Sequence, residues 1–261
     1  MLRVQGPWIK SCRKECLKPR LFQTHFNLKM ITFLGIGAQK SGTSWLYEKM
    51  SLHPHLAFPG GKEVHFWDKK NTLGVEWYRS LFSGQEFDGK IRGEITPSYS
   101  ILPIETIQEC HANFPDLRLI YLLRNPIDRA WSSAKMALGR AEMSIHEASE
   151  QWFIDHFKSR GSLLRGDYET CIRNWLSCYQ REQLLVCFFE ELAGVPDVFL
   201  KKCFQHIGVS TDLYDWNMDF KEPVHRGIPD DIPPNLRIVL EEIYRPKIES
   251  LQEYLGMKFK S

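Results

Sequence analysis

The stretch Phe33-Leu34-Gly35-Ile36-Gly37-Ala38-Gln39-Lys40-Ser41-Gly42-Thr43-Ser44-Trp45-Leu46 constrains this chain more than any other, because an apolar run, a small-residue turn and a helix start follow in direct succession. Ile31 to Ile36 is almost unbroken apolar sequence, the pattern of a parallel strand buried on both faces. Gly35, Gly37 and Gly42 permit turns that a Cβ resists, and Thr43 or Ser44 stands where a helix cap is needed. A turn of this kind aims several backbone N–H groups and the positive end of a helix dipole at one point, and Lys40 adds a full charge there. The expectation is an anion site; the plainer alternative is a turn that only caps a helix.

A second near-continuous apolar run, Leu117 to Leu123, ends in Arg124-Asn125-Pro126, a strand end followed by an N-cap and a proline at N1. On the helix this predicts, Asn125, Asp128, Arg129 and Ser132 share a face with Arg124 at its mouth. A guanidinium with a hydroxyl suits a phosphate monoester, the arginine for charge-assisted contact and the serine for one directed hydrogen bond; a helix cap with a solvated arginine is the alternative. Between the two runs lies Gly60-Gly61-Lys62-Glu63-Val64-His65-Phe66-Trp67-Asp68. If Glu63 to Trp67 is extended, Glu63 and His65 fall on one face, an acid meeting an imidazole beside a glycine turn. The alternative here is a surface carboxylate and a packed histidine.

The first turn does not follow the Walker A pattern, in which the lysine comes after the second glycine. Gly-Ala-Gln-Lys-Ser-Gly-Thr-Ser-Trp-Leu instead resembles the 5′-phosphosulfate loop of sulfotransferases that use 3′-phosphoadenosine 5′-phosphosulfate (PAPS). Lys-Glu-Val-His-Phe-Trp-Asp resembles the segment of carbohydrate-type members that supplies the catalytic base, and Arg124-Asn-Pro-Ile-Asp-Arg-Ala-Trp-Ser132 resembles their 3′-phosphate motif. Gly-Glu-Ile-Thr-Pro-Ser-Tyr at 93–99 and the block around Tyr168 and Trp175 are also similar to that family. The resemblance runs from about residue 31 to 192 and more weakly to the end.

The resemblance implies an α/β, three-layer P-loop-like fold with a mostly parallel central sheet flanked by helices. It also implies transfer of a sulfuryl group from PAPS to a hydroxyl, less readily an amine, by in-line displacement and without metal. Lys40, Ser41, Gly42, Thr43, Ser44 and Trp45 would hold the phosphosulfate end, and Arg124 and Ser132 the 3′-phosphate. Glu63 would be the base, with His65 orienting it or substituting for it. Arg226 and Gly227, in the loop from Gly208 to Ile232, are candidates to close over the nucleotide. Trp67, Tyr99 and Tyr168 are candidate acceptor walls, although Tyr168 and Trp175, seven apart, also read as a core stripe. A P-loop-type kinase and a non-catalytic nucleotide-binding protein are the competing readings. The lysine position opposes the first, and the presence of both Lys40 and Glu63 opposes the second.

Composition sets the remaining bounds. Residues 1–29 hold seven Lys or Arg against one acid, so residues 30–261 sum to −4, a poor footprint for nucleic acid. The basic segment 1–29 is expected to be a loosely ordered extension, with the sulfotransferase domain at 30–261. No apolar run approaches the ~20 residues that span a bilayer. Seven irregularly spaced cysteines and no Asn-x-Ser/Thr site point to free thiols in a reducing cytoplasm, and no structural metal is expected. Heparan-type relatives often carry a lysine where this chain has Ile95. With the charge of −4, this suggests a small-molecule or carbohydrate acceptor that is neutral or weakly charged. The remaining pattern predicts helices over 73–82, 103–113, 144–157, 168–179 and 195–207, strands over 90–94 and 184–188, and a final helix from Pro233–Pro234 that Pro246 should kink or break.

Overall fold

The computed structural model describes residues 30–218, 220 and 231–256. Its five strands are β1 (Ile31–Gly37), β2 (Leu56–Ala57), β3 (Ile91–Ile95), β4 (Arg118–Leu123) and β5 (Leu184–Phe188), in the order β2-β3-β1-β4-β5 with every pairing parallel. The helices are α1 (Thr43–Ser51), α2 (Val75–Leu81), α3 (Ile104–Asn113), α4 (Pro126–Arg140), α5 (Glu150–Lys158), α6 (Arg160–Arg165), α7 (Tyr168–Leu176), α8 (Phe189–Gly194), α9 (Pro196–Ile207) and α10 (Pro234–Leu255).

Strand alternation produces the layers. Leu34 and Ile36 of β1 and Leu119, Tyr121 and Leu123 of β4 pack on one side with residues of α2, α3 and α7. Phe33, Ile120 and Leu122 pack on the other with residues of α1 and α9. Both faces of the central strands are therefore apolar, which is why the two runs read as continuous rather than alternating. At Gly93 a Cβ would lie 2.4 Å from the buried Phe33 ring, so glycine is what lets β3 close against β1.

A third apolar cluster joins α4, α5 and α10 beside the sheet. Helix α10 runs through Pro246 without a break, because Leu236, Leu240 and Tyr244 before it and Leu251 and Leu255 after it are all buried. Packing on both sides outweighs the ~3 kcal/mol that an interior proline costs. The predicted 144–157 helix is split into a short 3-10 turn at Ile145–Glu147 and α5, each with its own serine cap. Among the described residues no helix is long and apolar enough to cross a membrane. The cysteines among them, Cys110, Cys171, Cys178, Cys187 and Cys203, are free thiols. The basic segment 1–29 and the Arg226 and Gly227 positions lie outside the described residues.

Candidate active site

The carboxyl ends of β1, β3, β4 and β5 lie side by side, and the segments that follow them carry the candidate site residues, as expected at the strand-end edge of an open parallel sheet. After β1, Ala38 N–H donates to Leu122 O at 2.8 Å and ties the turn to β4. Lys40 (φ 69) and Gly42 (φ 94) both lie in the left-handed region. Gly42 itself is the N-cap of α1, with no side-chain cap, so neither Thr43 nor Ser44 serves as the expected cap; both fall in the first turn. The left-handed bend is what hands the chain directly from strand to helix, and glycine takes it without strain. Lys40 pays for the same conformation with no such freedom, a cost of ~1–2 kcal/mol that surrounding contacts must offset.

One such contact comes from β4. Arg124 Nη1 donates to Lys40 O at 3.2 Å, and its guanidinium stands 4.7 Å over the Phe189 ring at the end of β5. The two anion motifs, 84 residues apart, thus meet. Burial and then the charges of Arg124, Arg140, Lys135 and Lys62 hold the Lys40 ammonium below its usual pKa. Cations gathered in this way favour an anion between them. Asn125 Oδ1 accepts from Ile127 N at 3.0 Å, the predicted cap, and Pro126 opens α4. Ser132 is half-buried on that helix. Beneath the turn, Tyr168 OH donates to Arg124 O at 2.9 Å beside the buried Ser41 hydroxyl, which forms no full hydrogen bond of its own. Trp45 is buried, its indole N–H donating to Phe220 O at 3.2 Å.

The acidic half of the site docks on the end of β3. Ile95 N–H donates to Lys62 O at 3.0 Å, and Thr96 N–H to Gly35 O at 2.9 Å, so this segment is stitched to the strand beside β1. Residues 63–67 are not extended: His65 takes φ 58, and Phe66–Lys70 is a π-helical turn. Glu63 and His65 nevertheless meet, Nε2 lying 3.0 Å from Glu63 Oε2. The turn also brings in Asp68, whose Oδ2 and Oδ1 lie 2.9 and 3.1 Å from His65 Nδ1. Lys62 pairs with the other oxygen of Glu63. Each ring nitrogen of His65 therefore faces a carboxylate, so a proton on either one has an acceptor.

Three expected acceptor walls are core residues instead. Trp67, Tyr99 and Tyr168 are 2%, 0% and 1% exposed, because the turns that carry the first two fold inward and α7 packs its apolar face on the sheet. Tyr99 and Tyr168 act through their hydroxyls, on Glu94 and on the Arg124 carbonyl. Asp68 and Phe189 are site residues the sequence pattern did not single out. Asp68 is three residues from His65, a signal usable only if the segment turns; the Arg124–Phe189 contact depends on which strands are neighbours.

The model of the sulfotransferase domain family matches residues 32–225. Human heparan sulfate glucosamine 3-O-sulfotransferase 6 is 40% identical over 197 residues, covering 74% of this chain and 56% of that protein. Human heparan sulfate glucosamine 3-O-sulfotransferase 3B1 is 28% identical over 200 residues, covering 74% and 50%. The chain therefore spans about half the length of the curated relatives it matches. Among solved structures, a sulfotransferase from Alicyclobacillus acidocaldarius superposes with a TM-score of 0.68 at 27% identity, over 88% of this chain and 97% of that one. Mouse sulfotransferase SULT7A1, solved with PAP, shares the fold at a TM-score of 0.54 and 18% identity, over 87% and 89%.

Proposed function

The chain belongs to the sulfotransferase domain family, and from that premise we propose that it transfers a sulfuryl group from PAPS to a hydroxyl of a carbohydrate acceptor. The observation that carries the reading is the Arg124–Lys40 contact, which joins a cationic strand-turn-helix to a second cationic helix start. A donor with anionic groups at both ends fits that pair. The fit to PAPS rests on this chain's own groups: Lys40 crowded by Arg124, Arg140, Lys135 and Lys62, and a buried Ser41 hydroxyl without a full hydrogen bond. Lys40 and the amides of 41–44 would hold the phosphosulfate end, and Arg124 with Ser132 the 3′-phosphate. PAPS supplies an activated sulfuryl group on a mixed anhydride.

The protein's work is alignment, charge and proton handling. Lys40 offsets negative charge on the bridging oxygen. Glu63 accepts the acceptor hydroxyl's proton, and His65, fixed through Nδ1 by Asp68, shares that proton at Nε2. A kinase reading lacks the Walker lysine position, and Arg124 directly follows β4 where a metal-binding carboxylate would be sought.

The relatives are named for heparan sulfate, which favours a sugar. Two features bear on its charge. Residues 30–261 sum to −4, whereas the charges that bear on Lys40 are those of Arg124, Arg140, Lys135 and Lys62. An acceptor screen at two ionic strengths tests the reading. Sugar sulfation that falls steeply with salt assigns a polyanionic saccharide, and sugar sulfation indifferent to salt a neutral one. Turnover of small alcohols with none of any saccharide would overturn the carbohydrate assignment.

A further inference from the structure

Glu94 lies on β3, 0% exposed, on the face that carries Tyr78 and Tyr99, and nothing in the proposed chemistry uses it. Its carboxylate accepts from four neutral donors. Val64 N–H (3.1 Å) and the Thr96 hydroxyl reach Oε2, and the hydroxyls of Tyr78 and Tyr99 (2.9 Å) reach Oε1. Two of those donors carry a further bond. Thr96 Oγ1 accepts from His65 N–H at 3.4 Å, and Tyr99 OH accepts from Phe66 N–H at 2.9 Å. The amides of Val64, His65 and Phe66, three in succession, therefore all lead to one buried carboxylate. They span the backbone that turns Glu63, His65 and Asp68 towards one another.

We propose that Glu94 is a positioning residue: a buried carboxylate that, directly and through Thr96 and Tyr99, holds the 64–66 amides so that Glu63, His65 and Asp68 converge at the acceptor hydroxyl. This rests on the sulfotransferase reading above. The chemistry explains the choice of residue. Only an ionised carboxylate offers four acceptor sites and no donor, which matches a pocket of four donors. His65 sits in the left-handed region, disfavoured for a residue with a Cβ, and persists there because its own amide and those on either side are all bound. Burial pushes the Glu94 carboxyl upward, and the bonds from Thr96, Tyr78, Tyr99 and Val64 oppose that push without cancelling it. None of these hydrogen bonds reaches Lys40 or Arg124, so the loss of the hub is felt by proton transfer and not by donor binding.

The test uses the full chain with Thr96→Val, Thr96→Ser, Tyr99→Phe and Glu94→Gln, with PAP calorimetry, PAPS turnover on a saccharide acceptor, melting temperature and amide exchange. Thr96→Val and Tyr99→Phe are expected to lower kcat by ~10- to 100-fold, the scale of an ångström-level misplacement. PAP affinity should be unchanged, and Thr96→Ser, which restores both bonds, should recover turnover. If Glu94→Gln fails to fold, the Thr96 and Tyr99 variants still decide. Thr96→Val and Tyr99→Phe that keep kcat, or that lose PAP affinity in step with kcat, would overturn the proposal. Wild-type protein inert towards PAPS would defeat the functional reading alone. The positioning claim is then read from exchange of the 64–66 amides, protected in wild type and released in Thr96→Val; amides equally protected in both would refute it.

Discussion

Replacing Arg124 by alanine separates the two ends of the donor site. Among the described residues the guanidinium has one protein acceptor, Lys40 O, and rests on Phe189, which leaves other N–H groups of its fork for a ligand. Charge-assisted hydrogen bonds contribute ~1.5–3 kcal/mol each, but Arg124 is only half-buried and solvent screens part of this, so the 3′-phosphate should lose about 2–3 kcal/mol. At 1.4 kcal/mol per decade that is roughly 30- to 150-fold in PAP affinity. A 5′-AMP ligand lacks the 3′-phosphate and should feel only the lost support of Lys40 O, ~0.5–1.5 kcal/mol or at most about tenfold. Calorimetry with PAP and 5′-AMP, without added metal, measures the difference. Equal losses for the two ligands would show that Arg124 supports the turn and does not read the 3′-phosphate.

Glu63→Gln should preserve PAP binding and cut turnover by about two to four orders of magnitude, the span for a general base; a crippled His65→Ala beside an active Glu63→Gln would transfer that role to His65. Lys40, held below its usual pKa by burial and four neighbouring cations, should regain affinity for its proton when an anion binds. PAP affinity in calorimetry should therefore be flat below the free-protein pKa and fall by up to about tenfold per pH unit above it, and Lys40→Arg should abolish the fall; a pH-independent affinity in wild type would refute the coupling. Gly93→Ala should destabilise by about 1–3 kcal/mol, since its Cβ would meet the Phe33 ring at 2.4 Å, and an unchanged melting temperature would show that β3 can yield there.

The sheet was legible because its central strands are buried on both faces, so Ile31 to Ile36 and Leu117 to Leu123 stand out without any partner being known. Asn125 and Pro126 announced α4 for a local reason, since cap and N1 chemistry need only their own helix. The Glu63 segment was legible in content but not in shape. The alternation that would put Glu63 and His65 together also fits a turn, and only the tertiary bonds from Glu94, Thr96 and Tyr99 select the turn and bring in Asp68. The same limit applies to Trp67, Tyr99 and Tyr168. An aromatic near a motif has the same sequence signature whether it faces a ligand or the core, and the helical turns at 66–70 and 97–101 send the first two inward. Gly42 as cap went unread because a side-chain cap at Thr43 or Ser44 fits the pattern equally well, and the left-handed bend at Lys40 that makes Gly42 the cap has no local signature.

Sulfuryl transfer, and not phosphoryl transfer, is the chemistry proposed for this site. Purified protein incubated with radiolabelled PAPS and a saccharide mixture, in parallel with labelled ATP and magnesium, decides it. The predicted result is labelled sulfate on a saccharide from PAPS, abolished by Glu63→Gln, with no transfer from ATP; phosphate transfer from ATP, or inertness towards PAPS across the acceptor panel, would contradict it.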